Sequence, residues 1–544
     1  MSVKKIAILL DGDEVAAWQQ EIIEWIDQNS DLEITAFIVK IPQSPRSIVS
    51  KLLDPSKVAW FALDRCERLL SRILFRTPDA IAPCSLRARM QEGTVIEVVP
   101  NTKRNLFDYF SDGDVAKVKA LDLDLMIRFG FDILRGDILT AARYGIWSYH
   151  HGDSAHYRGG PPCFWEWYQD SPVSSATLQI LTPELDNGIV LQKGHYMTFP
   201  RSWNENRNRV FWKSTVLLTD SLDALTRSDD LVTIAKAGRQ AVEDRLFDGP
   251  LLVAPRLGQS ILTTWKLFRN YVRLVFRNLL YIQQWRILHC STPSKVDSIR
   301  NYKEILPPKD RFWADPFFIK RDEKTFIFVE EFKYRRKIGE IAVLECDNDE
   351  LINHRTIMSS QHHLSYPFLF EHGDELYMIP ETHEQRVIQL WRNTEFPDHW
   401  QHVHDLMTDV SAADSTLFEH DGRWWIFTNI DRSRLGTMHL DELHAFHADS
   451  PLSTDWRPHA QNPLIRDSRF ARQGGRVYRD TRGRLVRVAQ NNSRRYGYAL
   501  SFHEILALTP DVFETRLLSS VEPNWSKHAQ AIHNFDTDGT TFVF

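Results

Sequence analysis

Short apolar runs alternate with helix-spaced apolar residues through the first part of the chain. Lys5–Leu10 is a β-rich run, and Ile34–Ile41 is a second one. The apolar residues between them are spaced as one face of a helix: Val15, Trp18, Ile22, Ile23 and Ile26. Because strand and helix alternate in this way, the pattern predicts a parallel sheet in an α/β domain.

The alternation continues to about residue 150. Leu121–Phe131 has the apolar character of a buried parallel strand. Ligands of such sheets bind outside the carboxyl ends of the strands, so we expect the turns Arg128–Leu134 and Ser148–His151 on one rim. The other predicted elements are a basic helical segment at Ser47–Arg76, a strand at Val95–Val99, a helix at Val115–Ala120, a short helix at Ile133–Ala142 and a strand at Ile146–Tyr149.

From about Gln284 onward the pattern changes to short apolar runs broken by D-G and G-D turns. Five units recur at a spacing of roughly 50–60 residues, which is the length of a propeller blade. The units begin near Ala314, Ser365, Ala413, Gly475 and Ala531. The spacing predicts a five-bladed β-propeller, with Trp285–Cys290 supplying an outer strand that closes the ring. A β-sandwich is the alternative, although it would not require a fixed period.

A basic amphipathic segment joins the two halves. Residues 200–258 are charged and mixed, and we expect them to form helices that complete the first domain. In Ile261–Trp285 four basic residues recur every three or four positions: Lys266, Arg269, Arg273 and Arg277. Such a helix is typical either of contact with an anionic membrane surface or of an interdomain element. The predicted domains are therefore 1–258, a linker helix at 259–284, and 285–544.

Composition excludes several classes of protein. A chain of 544 residues is expected to form two or three domains, and its net charge of −6 argues against a nucleic-acid-binding protein. The five cysteines are scattered without CxxC spacing, so we predict neither disulfides nor a zinc site, and no metal. The apolar runs are too short for a membrane span or a signal peptide, which predicts a cytoplasmic protein.

Gly145–Leu191 combines the polar, turn-forming and apolar residues that an active site needs. His150 follows an apolar run and precedes the turn-rich sequence Y-R-G-G-P-P. The acidic turn L-D-N-G places Asp186 36 positions after His150. A lone histidine in a turn is usually a structural residue, but this context favours a site.

This stretch resembles the folate-dependent formyltransferase family. The resemblance covers roughly residues 3–240 and rests on His150, on the sequence R-G-G-P-P beginning at Arg158, on T-L-Q-I-L with L-D-N-G, and on F-G-F-D-I-L. It implies a Rossmann-like domain, 10-formyltetrahydrofolate as the donor, and His150 and Asp186 as catalytic residues. Ser148 occupies the position of the family's asparagine, which is a departure. The implied cofactor-side turn consists of Phe129, Gly130, Phe131, Ile133 and Leu134.

Formyl transfer explains why such residues would be needed. An amine that attacks a formyl carbon forms a tetrahedral oxyanion and must lose a proton. A histidine can donate to the oxyanion or move the proton, and a neighbouring carboxylate orients the imidazole. Loss of an oxyanion donor costs ~3–4 kcal/mol in comparable sites, so Ser148 weakens the expectation of activity. His151 and Asp153 are either substitutes in an altered reaction or ordinary turn residues.

The second half resembles the five-bladed propellers of the glycoside hydrolase 43/32/68 type, and also the domain at the N-terminus of plant glucosamine inositolphosphorylceramide transferases. The sequences A-D-P-F, H-L-S-Y-P-F, I-P-E and A-D-S-T-L-F carry this resemblance over about residues 285–544. It implies a central pocket lined by the innermost strands. The candidate pocket residues are Asp315, Glu331, His363, Tyr366, Glu381, Asp414, Arg472, Gln473 and His528.

The two resemblances together predict a cytoplasmic enzyme that formylates the amino group of a sugar during the assembly of surface glycans. The sugar would be carried on a nucleotide or a lipid, and the propeller would bind or process the glycan acceptor. The alternatives are a glycosyltransferase or glycoside hydrolase acting through the propeller, with a degenerate first domain, and a non-catalytic glycan-binding scaffold. Paired carboxylates could cleave or transfer a sugar, but Asp315 and Asp414 could equally cap backbone amides. Contact with a membrane through 261–285 is the remaining partner prediction.

Overall fold

The chain folds into two compact units, the first formed by most of residues 1–277 and the second by most of residues 278–544. We describe a computed structural model. The structure describes residues 3–41, 55–103, 106–153, 155–183, 188–228, 251–290, 299–300, 302–347, 349–435, 439–526 and 528–544.

A seven-stranded sheet forms the centre of the first unit. Its strands, in spatial order, are Ile189–Met197, Val173–Ile180, Ile146–His150, Leu125–Arg128, Lys4–Leu10, Leu32–Lys40 and Thr94–Val98. The pairs from Ile146–His150 through Thr94–Val98 are parallel, whereas Val173–Ile180 pairs antiparallel with Ile146–His150. The predicted parallel α/β region is therefore confirmed.

Seven helices and two small sheets complete the described part of this unit. The helices are α1 (Ala17–Gln28), α2 (Pro55–Phe75), α3 (Arg87–Glu92), α4 (Asp112–Lys119), α5 (Phe164–Tyr168), α6 (Trp203–Ser228) and α7 (Leu257–Leu280). One small sheet pairs Glu14–Ala16 with Pro83–Ser85, and the other contains Asn101–Lys103, Phe107–Tyr109 and Ile133–Arg135. Residues 42–54 and 229–250, where helical structure was predicted, lie outside the described residues.

The short helix predicted at Ile133–Ala142 is absent. Ile133–Arg135 is instead a strand that pairs with Phe107–Tyr109, and a single 3-10 turn follows at Asp137–Thr140. Gly136 separates the two elements with a φ of 82°. This left-handed conformation interrupts a right-handed helix, and the strand pairing satisfies the backbone groups that the helix would have used.

Five antiparallel sheets make up the described part of the second unit. Sheet 1 contains Arg311–Arg321, Lys324–Lys333, Gly339–Asp347 and Glu350–Met358. Sheet 2 contains Ser365–His372, Glu375–Glu381, Val387–Glu395 and His399–Thr408, and sheet 3 contains Ala412–His420, Arg423–Ile430, Glu442–Ala448, Arg457–Pro458 and Ile465–Arg466. Sheet 4 contains Tyr478–Arg479, Leu485–Asn491, Ala499–Leu508 and Phe513–Val521, and sheet 5 contains Lys303–Ile305, Ile287–Cys290, Phe542–Val543 and Asp536–Thr537. Antiparallel sheets in this half agree with the predicted propeller, whereas the number of blades stays a prediction.

The first strands of sheets 1, 2 and 3 repeat one local distortion. In each of these strands the pairing with the second strand of the sheet shifts register, which produces a β-bulge. The bulges directly follow Ala314, Ser365 and Ala413. The next residue in each strand has a positive φ: 50° at Asp315, 44° at Tyr366 and 52° at Asp414. Bulges bend a strand and redirect a side chain, so these three side chains are set by the same backbone device.

Sheet 5 joins distant segments of the second unit. His289 pairs with Val543, and the backbones of Leu288 and Phe544 exchange hydrogen bonds of 3.0 and 2.9 Å. Ile287–Cys290 therefore pairs with the last strand of the chain, as predicted, but it is not the outer strand, because Lys303–Ile305 lies at the edge of this sheet. Among the helices that the structure describes, none combines the length and apolar character needed to cross a bilayer.

Candidate functional site

A cavity of about 270 Å³ lies in the first unit where the sequence predicts a site. It is lined by His150 and Ser148 from one strand and by Arg128 from the neighbouring strand. Of the predicted cofactor-side residues, Ile133 and Leu134 also line it. The cavity is thus at the carboxyl ends of parallel strands, as expected for an α/β sheet.

The His150 imidazole is held by the chain beside it. Its Nε2 lies 2.7 Å from the carbonyl oxygen of Tyr157, so Nε2 donates and carries the proton. Gly152 packs against this ring, because a Cβ there would lie 2.9 Å from Nε2 and 3.6 Å from Oε1 of Glu166. Burial raises the pKa of Glu166 to about 8, with a smaller contribution from the charge of Asp153.

Ser148 does not reproduce the amide that the formyltransferase pattern places here. Arg128 Nη1 donates to the Ser148 hydroxyl oxygen at 2.7 Å, and Arg128 Nη2 donates to the carbonyl of Phe131 at 3.2 Å. The hydroxyl is therefore engaged by a guanidinium group from the adjacent strand. Accepting this bond leaves the hydroxyl proton of Ser148, whose acceptor is the carbonyl oxygen of Tyr149 at 3.4 Å.

The rest of the predicted turn has structural contacts. Phe129 packs edge-on against Trp18 at 5.5 Å, and the Phe131 N–H donates to Asp11 at 2.6 Å. At Gly130 a Cβ would lie 2.3 Å from the backbone nitrogen of Asp11, so only glycine fits there. Asp186 lies outside the described residues.

His151 and Asp153 both have structural partners. The His151 ring lies 4.1 Å from that of Phe211, and burial lowers the pKa of His151 to about 3. Asp153 lies 2.6 Å from Nζ of Lys193. Burial would raise the pKa of Asp153, but the charge of Lys193 outweighs it and lowers this pKa. These contacts favour the interpretation of both as ordinary turn residues.

A second candidate site, a buried cluster of charged side chains, lies in the second unit. Each of the five sheets, or the segment leading into it, contributes to the cluster. The members are Asp315 and Glu330 from sheet 1, Glu381 from sheet 2, Asp414 from sheet 3, Gln490 from sheet 4, Arg472 from the segment before sheet 4, His533 from the segment before Asp536–Thr537 of sheet 5, and the half-buried His363 from the segment before sheet 2. We refer to these residues as the central cluster.

Arg472 binds two carboxylates of the cluster. Its Nε and Nη2 donate to the two oxygens of Asp414 at 2.6 and 3.1 Å, and Nη2 lies 3.7 Å from Oε2 of Glu381. The Asp414 N–H donates to the same Glu381 oxygen at 3.2 Å, and Gln490 Nε2 donates to Asp414 at 3.0 Å. A buried guanidinium with a bidentate partner fixes both carboxylates in place.

At two groups of the central cluster, pairing with opposite charges shifts the pKa more than burial does. Burial alone would lower the pKa of Arg472, but the carboxylates of Asp414 and Glu381 raise it well above its usual value. Burial alone would raise the pKa of Glu381, but His383 and Arg472 lower it. His383 Nδ1 lies 2.8 Å from Oε1 of Glu381. Both groups are therefore ionised at neutral pH.

Asp315 is oriented by an imidazole. His533 Nε2 lies 2.9 Å from Oδ1 of Asp315, and the His533 ring packs against Trp285 at 4.2 Å. Gly497 touches the other side of His533, because a Cβ at this position would lie 2.7 Å from the His533 Cβ. The ring of Tyr496 lies 5.6 Å from His533 and under the Arg472 guanidinium at 5.2 Å.

Glu330 is a buried acid near Asp315 that faces an imidazole. His363 Nε2 lies 3.3 Å from its Oε1, and the Gly339 N–H donates to His363 Nδ1 at 3.1 Å. Burial raises the pKa of Glu330, and the negative charge of Asp315 adds to the rise, whereas His363 opposes it. Carboxylates that include Glu330 and Glu381 raise the pKa of His363 to about 9, although burial opposes this. Protonation would, however, remove the Nδ1 lone pair that accepts from Gly339.

The remaining predicted pocket residues lie at different distances from the cluster. The Tyr366 hydroxyl is 2.8 Å from Thr416 Oγ1, and its ring is buried near Asp414 and Asp315. Gln473 is buried, and its Oε1 accepts from Arg487 at 2.5 Å. Glu331 faces Arg311 and Lys333 instead, at 3.0 and 2.9 Å, and His528 is exposed. Glu331 is therefore not placed with the cluster, because successive side chains of a strand alternate between faces.

Sequence reasoning did not select Glu330, Gln490 or His533. The pairing registers contain the missing signal, since Ala314 pairs with Glu330 and Ser365 pairs with Glu381. The second strand of each repeat thus places a polar residue beside the bulge of the first strand. Aligning the repeats on their bulges would have selected Glu330 rather than Glu331. Among the described residues, no group of three or more histidine, cysteine or acidic side chains is arranged to hold a metal ion.

Comparison with known proteins places the sequence similarity in the second unit. The family described as glucosamine inositolphosphorylceramide transferase 1, N-terminal, matches residues 301–534. The chain is 32% identical over 232 residues to glucosamine inositolphosphorylceramide transferase 1 of Oryza sativa subsp. japonica, covering 42% of this chain and 29% of that protein. It is 30% identical over 236 residues to the Arabidopsis thaliana protein of the same name, covering 41% of this chain and 30% of that one. The matched part is thus less than a third of the length of these relatives.

Two solved structures show weak likeness to parts of the chain. Glycinamide ribonucleotide transformylase 1 from Symbiobacterium toebii has a TM-score of 0.29 and 13% identity, covering 41% of this chain and 88% of that one. The catalytic domain of the Coprinopsis cinerea GH62 α-L-arabinofuranosidase has a TM-score of 0.33 and 10% identity, covering 46% of this chain and 82% of that one. Likenesses this weak support no conclusion about function.

The predicted formyl transfer is wrong. The relatives that match by sequence are named as transferases of glucosamine inositolphosphorylceramide, and their names do not support a formyltransferase or 10-formyltetrahydrofolate. The alternative of a sugar transferase or hydrolase acting through the second unit agrees better with these findings.

Proposed function

We propose that the chain is a sugar transferase whose second unit is a five-bladed propeller, and that the central cluster binds the sugar of a glycan or lipid-linked acceptor. The observation that carries the proposal is the convergence of five sheets on one buried set of acids and cations. Residues far apart in sequence meet there only if the sheets surround a common centre. The pairing of His289 with Val543 is the kind of closure that a ring of blades requires.

The chemistry of the central cluster suits a sugar. Buried carboxylates and amides accept and donate the hydrogen bonds that sugar hydroxyls need, and aromatic faces cover the apolar side of a pyranose ring. Gln490, Glu381 and Asp414 supply the polar groups. Trp285 and Tyr496 supply aromatic rings next to His533. Burial strengthens each of these interactions because water does not compete for the groups.

Asp315 and Glu330 form the pair with which transfer could proceed. Asp315 is the base that removes the proton from the attacking hydroxyl, and His533 orients it. Glu330 is the proposed acid that delivers a proton to the oxygen of the leaving group, because burial and the charge of Asp315 raise its pKa.

The name of the relatives supports the substrate class. Their transferase activity is named for glucosamine and a lipid, inositolphosphorylceramide, and the shared region corresponds to the second unit. We therefore expect an amino sugar or a lipid-linked sugar among the substrates. We propose both the class of donor sugar and the class of acceptor on this basis.

The test is transfer from a panel of radiolabelled nucleotide sugars to lipid-linked and free glycan acceptors. Glu330→Gln and Asp315→Asn should each lower kcat by about 100-fold or more, because each removes a proton-transfer group. Glu345→Gln is the matched control. It changes an acid of the same sheet that pairs with Lys324 at 2.8 Å, away from the cluster.

The outcomes separate the proposal from its rivals. Turnover unaffected by both cluster variants would contradict the assignment of the central cluster. Sugar binding that is lost in Asp414→Asn, with no turnover by the unmodified chain, would identify a glycan-binding scaffold instead. Release of free sugar in place of transfer would identify a glycoside hydrolase.

A further inference from the structure

Helix α7 carries its apolar side chains on its outer face. The side chains that it buries include Ser260, Thr263 and Lys266. Trp265 is 62% exposed and Phe268 58% exposed. The other exposed apolar residues of the helix up to Arg277 are Leu257, Ile261, Leu262, Val275 and Phe276. A helix held mainly by the hydrophobic effect would bury the opposite face.

Polar bonds hold α7 in this orientation. Lys266 Nζ donates to the carbonyls of Trp167 and Tyr168 at 2.8 and 3.0 Å, and to Asp170 Oδ1 at 2.7 Å. Asn270 Nδ2 donates to the carbonyl of Pro200 at 2.8 Å. The end of α5 therefore fixes the polar face of α7 and leaves the apolar face available for another surface.

Helix α2 has the same inverted arrangement. It buries Glu67 and Ser71, whereas Phe61 is 68% exposed and Ile73 is 64% exposed. Its other exposed apolar residues are Val58, Leu69, Leu70 and Leu74. Both helices contribute to one aromatic cluster, α2 through Trp60 and Leu63 and α7 through Leu267 and Tyr271. Two helices of this cluster, α2 and α7, thus expose apolar side chains to solvent. Large exposed apolar surfaces are rare on soluble monomers.

The charge of α7 selects the kind of partner. The helix contains four basic residues and no aspartate or glutamate. Arg269, Arg273 and Arg277 are exposed among the aromatic side chains. Arginines of this kind bury their aliphatic stems and place their charges at the level of lipid headgroups, and tryptophan prefers the same depth. An apolar helix face whose own charged residues are all basic fits an anionic bilayer.

We propose that the exposed faces of α2 and α7 form a docking surface for the anionic surface of a lipid bilayer, which we name the α2/α7 surface. The side chains of Trp265, Phe268 and Phe61 enter the interface, and the arginines bind acidic headgroups. The contact is peripheral. It does not depend on the reaction assigned to the second unit.

Co-sedimentation of the full chain with vesicles tests this proposal. We expect binding to vesicles of phosphatidylcholine with 30% phosphatidylserine, and binding at least tenfold weaker to phosphatidylcholine alone. Trp265→Ser with Phe268→Ser should weaken binding to the acidic vesicles by about tenfold or more. Arg269→Gln and Arg273→Gln should each weaken it by about fivefold, and more at low salt than at high salt.

Leu517→Ser is the matched control, since Leu517 is a 51% exposed apolar side chain of the second unit. It should leave vesicle binding unchanged. Circular dichroism of each variant checks that the fold is retained, and Phe61→Ser tests the surface from α2 if an α7 variant unfolds. Equal binding of the unmodified chain to neutral and acidic vesicles would overturn the proposal. So would a change from dimer to monomer in Trp265→Ser without vesicles, because a second copy would then be the partner.

Discussion

The two candidate sites show opposite relations between sequence motif and chemistry. In the first unit a recognisable motif surrounds a cavity, but its hydroxyl is engaged by Arg128 and its predicted turn has structural contacts. In the second unit the short motifs A-D-P-F, I-P-E and A-D-S-T-L-F supplied only part of the site, whereas five sheets bring acids, an arginine and histidines into one buried network. The difference teaches that a family-like turn motif indicates a reaction less directly than the contacts of its side chains do. Buried charge is costly and so is more informative about function.

The largest effect that we expect comes from Arg472. Arg472→Met leaves the buried carboxylates of Asp414 and Glu381 without their cation, which should lower the free energy of unfolding by about 3–5 kcal/mol. Chemical denaturation followed by fluorescence measures this. Arg386→Met is the control, because its pair with Asp409 is exposed and should contribute about 0–1 kcal/mol. Equal effects of the two variants would show that the central cluster is not a tightly coupled network.

Two glutamates, one in each unit, should respond to pH in opposite directions. In the first unit Glu166 has a pKa raised from 4.5 to about 8, so the folded state holds a proton that the unfolded state loses above pH 4.5. The contribution of Glu166 to stability should therefore fall by about 3 kcal/mol between pH 5 and 8. Glu166→Gln should remove this part of the fall, whereas the part that comes from Glu67, whose pKa burial raises to about 7, should remain. In the second unit Glu331 has a pKa lowered from 4.5 to about 2, so its contribution is present above pH 4.5 and is lost as pH falls through 2.

Hydrogen exchange resolved by peptide distinguishes the units in this experiment. Peptides of the first unit should lose protection toward pH 8 once the intrinsic pH dependence of exchange is corrected. A Glu166→Gln variant with the same pH dependence as the unmodified chain would contradict the prediction.

Gly497 offers a smaller perturbation of the cluster. Its φ of 60° suits glycine, and an added Cβ would press on His533, which orients Asp315. Gly497→Ala should cost about 1–3 kcal/mol of stability and should lower sugar transfer more than it lowers sugar binding. Gly422→Ala is the control, because its φ is also positive, at 70°, but a Cβ there would meet no atom within 4 Å. Equal losses of activity in both variants would show that the position of His533 does not affect sugar transfer.

The smallest effect should come from the first-unit site. His150→Ala is expected to change sugar transfer by less than about twofold, because the proposed acid and base lie in the second unit. Steady-state transfer with saturating donor measures this. A loss as large as that in Glu330→Gln would overturn the division of roles between the units.

The sequence predicted architecture better than it predicted chemistry, for physical reasons. Apolar periodicity identified the parallel α/β region and the antiparallel sheets, because burial imposes it directly on the residues. The alternation between Glu330 and Glu331 was not resolved, since one residue of register reverses the face of a strand. The helix at Ile133–Ala142 was mispredicted because a distant strand, Phe107–Tyr109, competes for the same backbone.

The repeated bulge limits which amino-acid substitutions the second unit can accept. Asp315, Tyr366 and Asp414 all occupy a left-handed backbone position, which favours aspartate, asparagine and glycine over most other residues. The residues that pair just before each bulge on the second strands, such as Glu330 opposite Ala314 and Glu381 opposite Ser365, have no positive φ and so no such backbone restriction. New specificities among descendants of this fold should therefore arise by substitution on the second strands, with the first strands acting as a fixed frame.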